Sequence, residues 1–375
     1  MKTIKTTLLF LVAIMLAACT QTRTAPDTDG KEIKMLYSDL LTITEHDGYV
    51  TARIADPWDS TRTLHNYVLV PRGADITAPL PEGDVIRTPL KSVAVYTSVH
   101  CALLDELGAY NCISGICDLQ YINLPTLHQD VKAGKIADLG DSMSPNIEGV
   151  INLSPDAIML SPFENNGGYG KLGKLGIPII ECADYMETSP LGRAEWIKFY
   201  GLLTGKSREA DSIFTATEKN YNETKALTMK APNRPTVVTE MKIGSTWYVA
   251  GAGSTVAIFI RDAGGNYIFN DVKANGAVPY SPEQAFSKAK DADFWLIKYN
   301  QATDMTLADL KANWPLNAYM NAYKNGHTYG CNLSLTKFYE ETPFHPDILL
   351  REYAHILHPA TVNCNMKYYK AMGKE

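Results

Sequence analysis

The sequence predicts an α/β protein of two lobes, each with a parallel-type sheet flanked by helices, joined by one long bridging helix and preceded by a small β-rich appendage. Three observations predict it. From Lys91 onward short apolar strands alternate with helical stretches, the pattern of a parallel sheet covered on both faces. From Leu191 to about Leu227 there is no proline and the periodicity is helical, interrupted softly at Gly201 and Gly205. Finally, two segments more than a hundred residues apart repeat one design. Ser144-Pro-Asn-Ile-Glu148 leads to Asp156 and the apolar Ala157-Ile-Met-Leu160, and Ser281-Pro-Glu283-Gln284 leads to Asp291 and Phe294-Trp-Leu-Ile297.

The first residues set the compartment. Lys2 and Lys5 precede the apolar run from Leu8 to Leu16, which is short for a membrane span and ends in Leu16-Ala-Ala-Cys19, so residues 1–18 read as a signal peptide and Cys19 as the lipidated first residue of the mature chain. Thr20–Gly30 is polar and carries Pro26, and residues 19–35 read as a tether. The protein is therefore expected to be exported and held at the periplasmic or extracytoplasmic face of a membrane by its lipid.

Residues 36–90 read as a β meander. Leu41 and Ile43 alternate with polar residues, Asp47-Gly48 is a turn dipeptide, Val50, Ala52 and Ile54 alternate again, and Tyr67-Val-Leu-Val70 follows. Residues 91–188 form the N-terminal lobe, with strands at Ser92–Tyr96, Ile113–Ile116, Ala157–Leu160 and Ile177–Ile180, and a helix over Val99–Leu107. Residues 189–231 form the bridging segment. Its second part, Ser207–Leu227, is polar on much of its surface, as a long helix partly in solvent should be. Residues 232–375 form the C-terminal lobe, with strands at Thr236–Thr239 and Thr246–Val249 and helices from Ser254, around Leu307–Trp314 and near Asp347–Leu357. In the repeated segments Ser144 and Ser281 read as N-caps with proline at the first helical position, and Gln284 completes a capping box. Glu148 and Glu283 then lie in first turns, where the helix dipole favours them and solvent reaches them.

A net charge of −6 gives no reason to expect nucleic acid as a partner. The six cysteines after Cys19 match no zinc spacing, and six permit fifteen full pairings. Gly201-Leu-Leu-Thr-Gly205-Lys206-Ser207 is one residue short of a phosphate-binding loop and lies inside a helical pattern. His345, His355 and His358 share no ligand spacing, and no nucleophile elbow or His-Glu-x-x-His occurs. No catalytic residue and no bound metal are therefore expected. Ser98 and His100 stand where a strand gives way to a helix, and Phe163, Tyr169, Tyr185, Trp247, Tyr299, Phe338 and Tyr339 fall at strand ends or in the loops after them. Such ends form the ligand crevice of α/β sheets, so these residues are the candidate contacts for a broad, partly apolar ligand.

Taken together, Ser92–Ile116, Pro145–Leu160, Gly176–Ile179, the helix from Gly205 and Ser281–Ile297, in that order, resemble the substrate-binding lipoproteins of ABC importers for metal chelates, the group of siderophore, haem and cobalamin binders. The resemblance covers most of Lys91–Pro359. It implies a ligand held between two lobes, no enzyme activity, no intrinsic cofactor, an ABC permease and its ATPase as partners, and one glutamate per lobe docking on permease arginines, by position Glu148 and Glu283. It makes an iron–siderophore or haem the expected cargo, with a corrinoid as alternative. Arg193 and Arg261 are the obvious arginines near the cleft segments. A bare-metal binder would need converging His and carboxylate side chains, and an enzyme on a related fold would need a poised acid, base or nucleophile.

Overall fold

The computed structural model describes residues 30–75 and 79–373. The signal segment and Cys19 lie outside the described residues, within which no helix is long and apolar enough to cross a membrane. Both expected lobes are present. The N-terminal lobe carries a five-stranded sheet in the spatial order Ile179–Glu181, Ala157–Leu160, Val93–Val95, Ile113–Ile116, Ala137–Asp138, all parallel. The C-terminal lobe orders Asn266–Tyr267, Thr236–Thr239, Phe294–Tyr299, Thr328–Asn332 and Tyr369–Ala371, parallel except for the last strand. Numbered along the chain, the first order is 3-2-1-4-5 read from its far edge and the second 2-1-3-4-5, the two common doubly wound arrangements. Beside the second sheet lies a three-stranded antiparallel sheet, Lys242–Ile243, Thr246–Ala250 and Ala277–Tyr280, which holds the strand expected at Thr246.

The repeated segments are equivalent, but through different residues from those the sequence singled out. Ser281 does cap its helix, with the Gln284 capping box formed. In the first copy Ser144-Pro145 instead pairs with Gly140-Asp141, and Asn146 is the cap, its side chain accepting from Gly149 N. The matched aspartates are Asp156 and Asp293, not Asp156 and Asp291. Asp156 Oδ2 accepts from Ser92 N at 3.1 Å and Asp293 Oδ2 from Thr236 N at 2.7 Å. Each ties the foot of the strand at position 293 or 156 to the neighbouring first strand of its lobe, which fixes the register of the pair.

The bridging segment comprises helices Pro190–Glu195, Ile197–Thr204 and Ser207–Thr228. The breaks fall at Trp196 and at Gly205, whose φ of +69° is the left-handed cap; Gly201 lies within a helix, packed against Ala210. In the long helix Ala210, Phe214, Thr217, Tyr221, Thr224 and Thr228 are buried, a spacing of three and four that gives one apolar stripe. Ala210 and Phe214 belong to the N-terminal core and Tyr221 to the C-terminal core, so one helix spans both. A second tie joins the lobes: Phe344 packs in the N-terminal core against His100 and Tyr200, and His345 Nε2 lies 2.7 Å from Glu106.

The N-terminal appendage is a five-stranded sheet over Lys31–Thr88, antiparallel except for its last pair. It is fused to the N-terminal lobe, with Ile43, Ile54, Tyr67, Leu69 and Ile86 sharing one core with Val93, Val95, Trp196 and Phe199. Tyr67 shows why. Its buried hydroxyl donates to Ile179 O at 2.9 Å and accepts from Glu181 N at 2.8 Å, and so satisfies the outward backbone groups of the edge strand. Tyr67→Phe leaves both groups unpaired and should lower unfolding stability by about 1–3 kcal/mol, read as a fall in urea midpoint at constant m-value.

Candidate functional site

The crevice of a doubly wound sheet lies beyond the strand ends where the strand order reverses. In the N-terminal lobe this is between Val93–Val95 and Ala157–Leu160, and a groove of about 540 Å³ opens there, lined by Tyr96, Thr97, Leu160, Ser161, Phe163 and Met143 among others. Its wall is mixed polar and apolar. Tyr96 lines it, its buried hydroxyl beside the Cys117 thiol.

In the C-terminal lobe the reversal lies between Thr236–Thr239 and Phe294–Tyr299, and Glu240 and Lys298 straddle it in a 2.6 Å ion pair. Burial works against the Lys298 charge, but the Glu240 carboxylate outweighs it and raises the pKa. Lys298 also lies 5.8 Å from the Phe338 ring centroid. Here a chamber of about 170 Å³ receives Val99 from the N-terminal lobe, Pro190 and Arg193 from the bridging segment, and Val256, Phe259, Lys298, Phe338, Tyr339 and Tyr353 from the C-terminal lobe. Two cations thus enter an aromatic and aliphatic space between the lobes.

Arg193 is aimed by a buried cluster. Asp184, fully buried, accepts from Arg193 Nε at 3.0 Å, from Tyr200 Oη at 2.9 Å and lies 3.0 Å from His100 Nε2. Binding Asp184 through Nε leaves the terminal guanidinium nitrogens for the chamber. Burial disfavours the Asp184 carboxylate, but His100 and Arg193 overcome it and hold its pKa down to about 2. For His100 burial likewise opposes charge, and the neighbouring Cys182 and Asp184 push its pKa up to about 10.

The candidate contacts separate accordingly. Phe163, at 43% exposure, and Tyr169 line the groove, and Phe338 and Tyr339 line the chamber. Ser98 is half-buried and stands between Thr97 of the groove and Val99 of the chamber. Tyr185 is 38% exposed and donates to Pro162 O, steadying the loop that carries Phe163. The other three are core residues. Trp247 is fully buried, its ring 5.8 Å from that of Trp295; Tyr299 is buried and its hydroxyl accepts from Met305 N; His100 is locked in the Asp184 cluster. Arg261 is paired with Asp262 rather than placed in the chamber lining.

Lys298 escaped sequence reading because a lysine within an apolar strand carries no motif; its one signal is interruption of Phe294–Tyr299 by a charge. Glu148 and Glu283 are exposed in first turns as expected. Both helices precede a central parallel strand, so they run back antiparallel to it and start at the strand-end edge, the edge that bears the cleft. All six described cysteines are free, five of them buried, and among the described residues no group of three or more His, Cys, Asp or Glu could hold a metal ion.

The periplasmic binding protein family profile matches residues 93–333. The chain is 30% identical over 285 residues to an uncharacterized lipoprotein of Methanocaldococcus jannaschii, covering 73% of this chain and 67% of that one. Its fold is similar to a periplasmic heme binding protein from Pseudomonas aeruginosa, with TM-score 0.59, 15% identity, and 76% and 98% of the two chains covered. It is likewise similar to the periplasmic vitamin B12 binding protein of Vibrio cholerae, with TM-score 0.55, 14% identity, and 72% and 98% covered.

The buried cluster has a pH signature. Because the Asp184 pKa lies below the ordinary carboxylate value, its contribution is present at neutral pH and is lost as pH falls through about 2; because that of His100 is raised, its contribution is complete below about 6.5 and is lost as pH rises through about 10. Asp184→Asn strands a buried imidazolium and a guanidinium, and should cost about 3–5 kcal/mol at neutral pH. Thermal melts from pH 2 to 10 should show the gap between wild type and variant narrowing at both ends.

Proposed function

The chain belongs to the periplasmic binding protein family, and from that premise we propose that it captures a metal chelate, an iron–siderophore or haem, between its lobes and delivers it to an ABC permease and its ATPase. The observation that carries this reading is the chamber between the lobes, where Arg193 and Lys298 meet the rings of Phe338, Tyr339 and Tyr353. Rings and aliphatic walls suit the broad organic body of a chelate, and two cations suit its anionic groups. The groove around Phe163 supplies room for the rest of a bulky ligand. Nothing in this reading asks for catalysis, and its solved neighbours are named as binding proteins. A corrinoid is the alternative cargo of the same architecture and is an arm of the same test.

Titration of the purified protein with a ferric hydroxamate, haem and cobalamin, followed by intrinsic fluorescence and absorbance, should give one saturable response. Phe163→Ala or Tyr339→Ala should weaken it by about 1–3 kcal/mol where the ring packs on the ligand. Loss of saturable response across all three classes overturns the chelate reading.

We also propose that Cys19 carries a lipid anchor, a reading supported by the Leu-Ala-Ala-Cys box and by the lipoprotein name of the archaeal relative. Glu148 and Glu283 are the proposed permease contacts. Exposed charges of this kind govern orientation and encounter more than folding. Glu148→Lys with Glu283→Lys should therefore retain ligand affinity and melting temperature while abolishing uptake in cells at matched expression; normal uptake by the double variant removes the docking role.

A further inference from the structure

The loop 163–173 borders the cleft, where Phe163 and Tyr169 line the groove at the strand ends. On its other side Tyr169 is held, through Glu181, by the N-terminal sheet, which lies outside the family-matched residues 93–333. We propose that this fused sheet latches the cleft loop through His65, so that a proton on His65 sets how firmly the loop is held.

The backbone of the loop depends on contacts. Between Pro162 and Leu172 every residue is exposed except Asn166 and Tyr169, which are half-buried. Asn165 and Tyr169 both have φ of +59°, in the left-handed region that bulky side chains rarely adopt. Gly167, Gly168 and Gly170 also have positive φ, with nothing within 4 Å of where a Cβ would stand. Conformations of this kind persist where surrounding contacts impose them. For Tyr169 those contacts are the core beside Leu172, the T-shaped pairing with Phe163 at 6.4 Å and the hydrogen bond its hydroxyl donates to Glu181 Oε1 at 2.5 Å.

Glu181 passes that hold to the sheet. Its side chain is buried, its Oε2 lies 3.2 Å from His65 Nδ1, and His65 Nε2 lies 3.1 Å from Asp84 Oδ2. His65 belongs to the strand Thr63–Pro71 and Asp84 to Asp84–Thr88, and the imidazole stacks on Tyr67 at 4.3 Å, which fixes its plane. Only the imidazolium can donate from both nitrogens to two carboxylates; the neutral ring has one donor and turns its other nitrogen's lone pair on an oxygen that also accepts. Burial opposes the His65 charge, but Glu181 and Asp84 outweigh it and raise the pKa. The other charged groups around this space are Asp56, Asp59 and Arg62 on the sheet side and Glu164 on the loop side, a balance that also favours the imidazolium. Burial raises the pKa of the Tyr67 and Tyr169 phenols and keeps both neutral. The bridge is therefore complete below about pH 6.5 and is lost as pH rises through the raised value.

The test uses the full chain with no ligand added. His65, followed by NMR of labelled imidazole carbons and assigned with His65→Gln, should titrate above its ordinary value. Hydrogen-exchange protection of residues 163–173, corrected for the intrinsic pH dependence of exchange, should fall about fivefold between about pH 6 and about pH 9. In His65→Gln it should be low and equal at both pH values, and in Tyr169→Phe it should be lost at both. Asp84→Asn removes the outer carboxylate and should move the wild-type step to lower pH. Titration of His65 at or below its ordinary value, equal protection of the wild-type loop at both pH values, or a step that survives in His65→Gln would each overturn the latch. A looser grip on cargo at high pH is the consequence that rests on the chelate reading. Absence of any saturable chelate response removes that consequence and leaves the latch measurements standing, whereas a loop indifferent to pH removes the latch and leaves the chelate titrations standing.

Discussion

Three buried carboxylates at the junction between the N-terminal lobe and the bridging helices set the geometry of the rest. Asp184, Glu187 and Glu195 are 0%, 3% and 0% exposed. A buried carboxylate is tolerated only where donors surround it, and each of these recruits donors from distant parts of the chain. Glu195 accepts from the backbone of Leu36, Tyr37 and Ser38 and from Lys198. Glu187 accepts from Ser38, Asp39, Leu40 and the indole of Trp196. Asp184 gathers His100, Tyr200 and Arg193. The strap that leads in from the tether, the first helix of the N-terminal lobe and the start of the bridge are thus drawn to one place. Gly192 shows how tight the junction is, since a Cβ there would stand 2.7 Å from Tyr37 O.

From that junction the cleft follows. Arg193 reaches the chamber from the helix Pro190–Glu195 with its Nε held by Asp184, and Val99 reaches it from the helix Ser98–Glu106 with His100 held behind it. The opposite wall rests on a separate ion pair, Lys298 with Glu240, at the strand reversal of the other sheet. The chamber is therefore assembled from two charge clusters that do not share a residue, which lets the cationic pair converge without either cation losing its own counter-charge.

Much of this architecture was legible in the sequence because it is local. Alternation over Leu41–Ile54, the apolar runs of the parallel strands, the Ser281 capping box and the stripe of the long helix each depend on neighbours within a turn or a strand. What was not legible depends on partners far away. Asn146 rather than Ser144 caps its helix because Ser144-Pro145 is captured by Gly140-Asp141, and nothing within the segment itself discloses that pairing. Trp247 is expected at a strand end, but it is the second residue of Thr246–Ala250, in a separate antiparallel sheet where its indole is buried against Trp295. Phe338 and Tyr339 show the reverse case, side chains on a short helix that do reach the chamber. Position along the chain places Phe163, Tyr185 and Tyr299 at or after strand ends; it does not say which of them face inward.

The two lobes are alike at the foot of one parallel strand pair in each sheet and unlike elsewhere. Asp156 and Asp293 do the same work at equivalent strand pairs, yet the sheets around them follow different strand orders, and one carries a fused N-terminal sheet while the other carries an antiparallel annex. Both edges of the arrangement are restrained: the long helix enters both cores, and Phe344 with the His345–Glu106 pair ties the lobes again. Two such ties restrain the lobes against each other. The same restraint explains why the fused sheet matters to the cleft at all, because Tyr67 holds the edge strand that ends in Glu181, and the loop that carries Phe163 and Tyr169 is packed against that end.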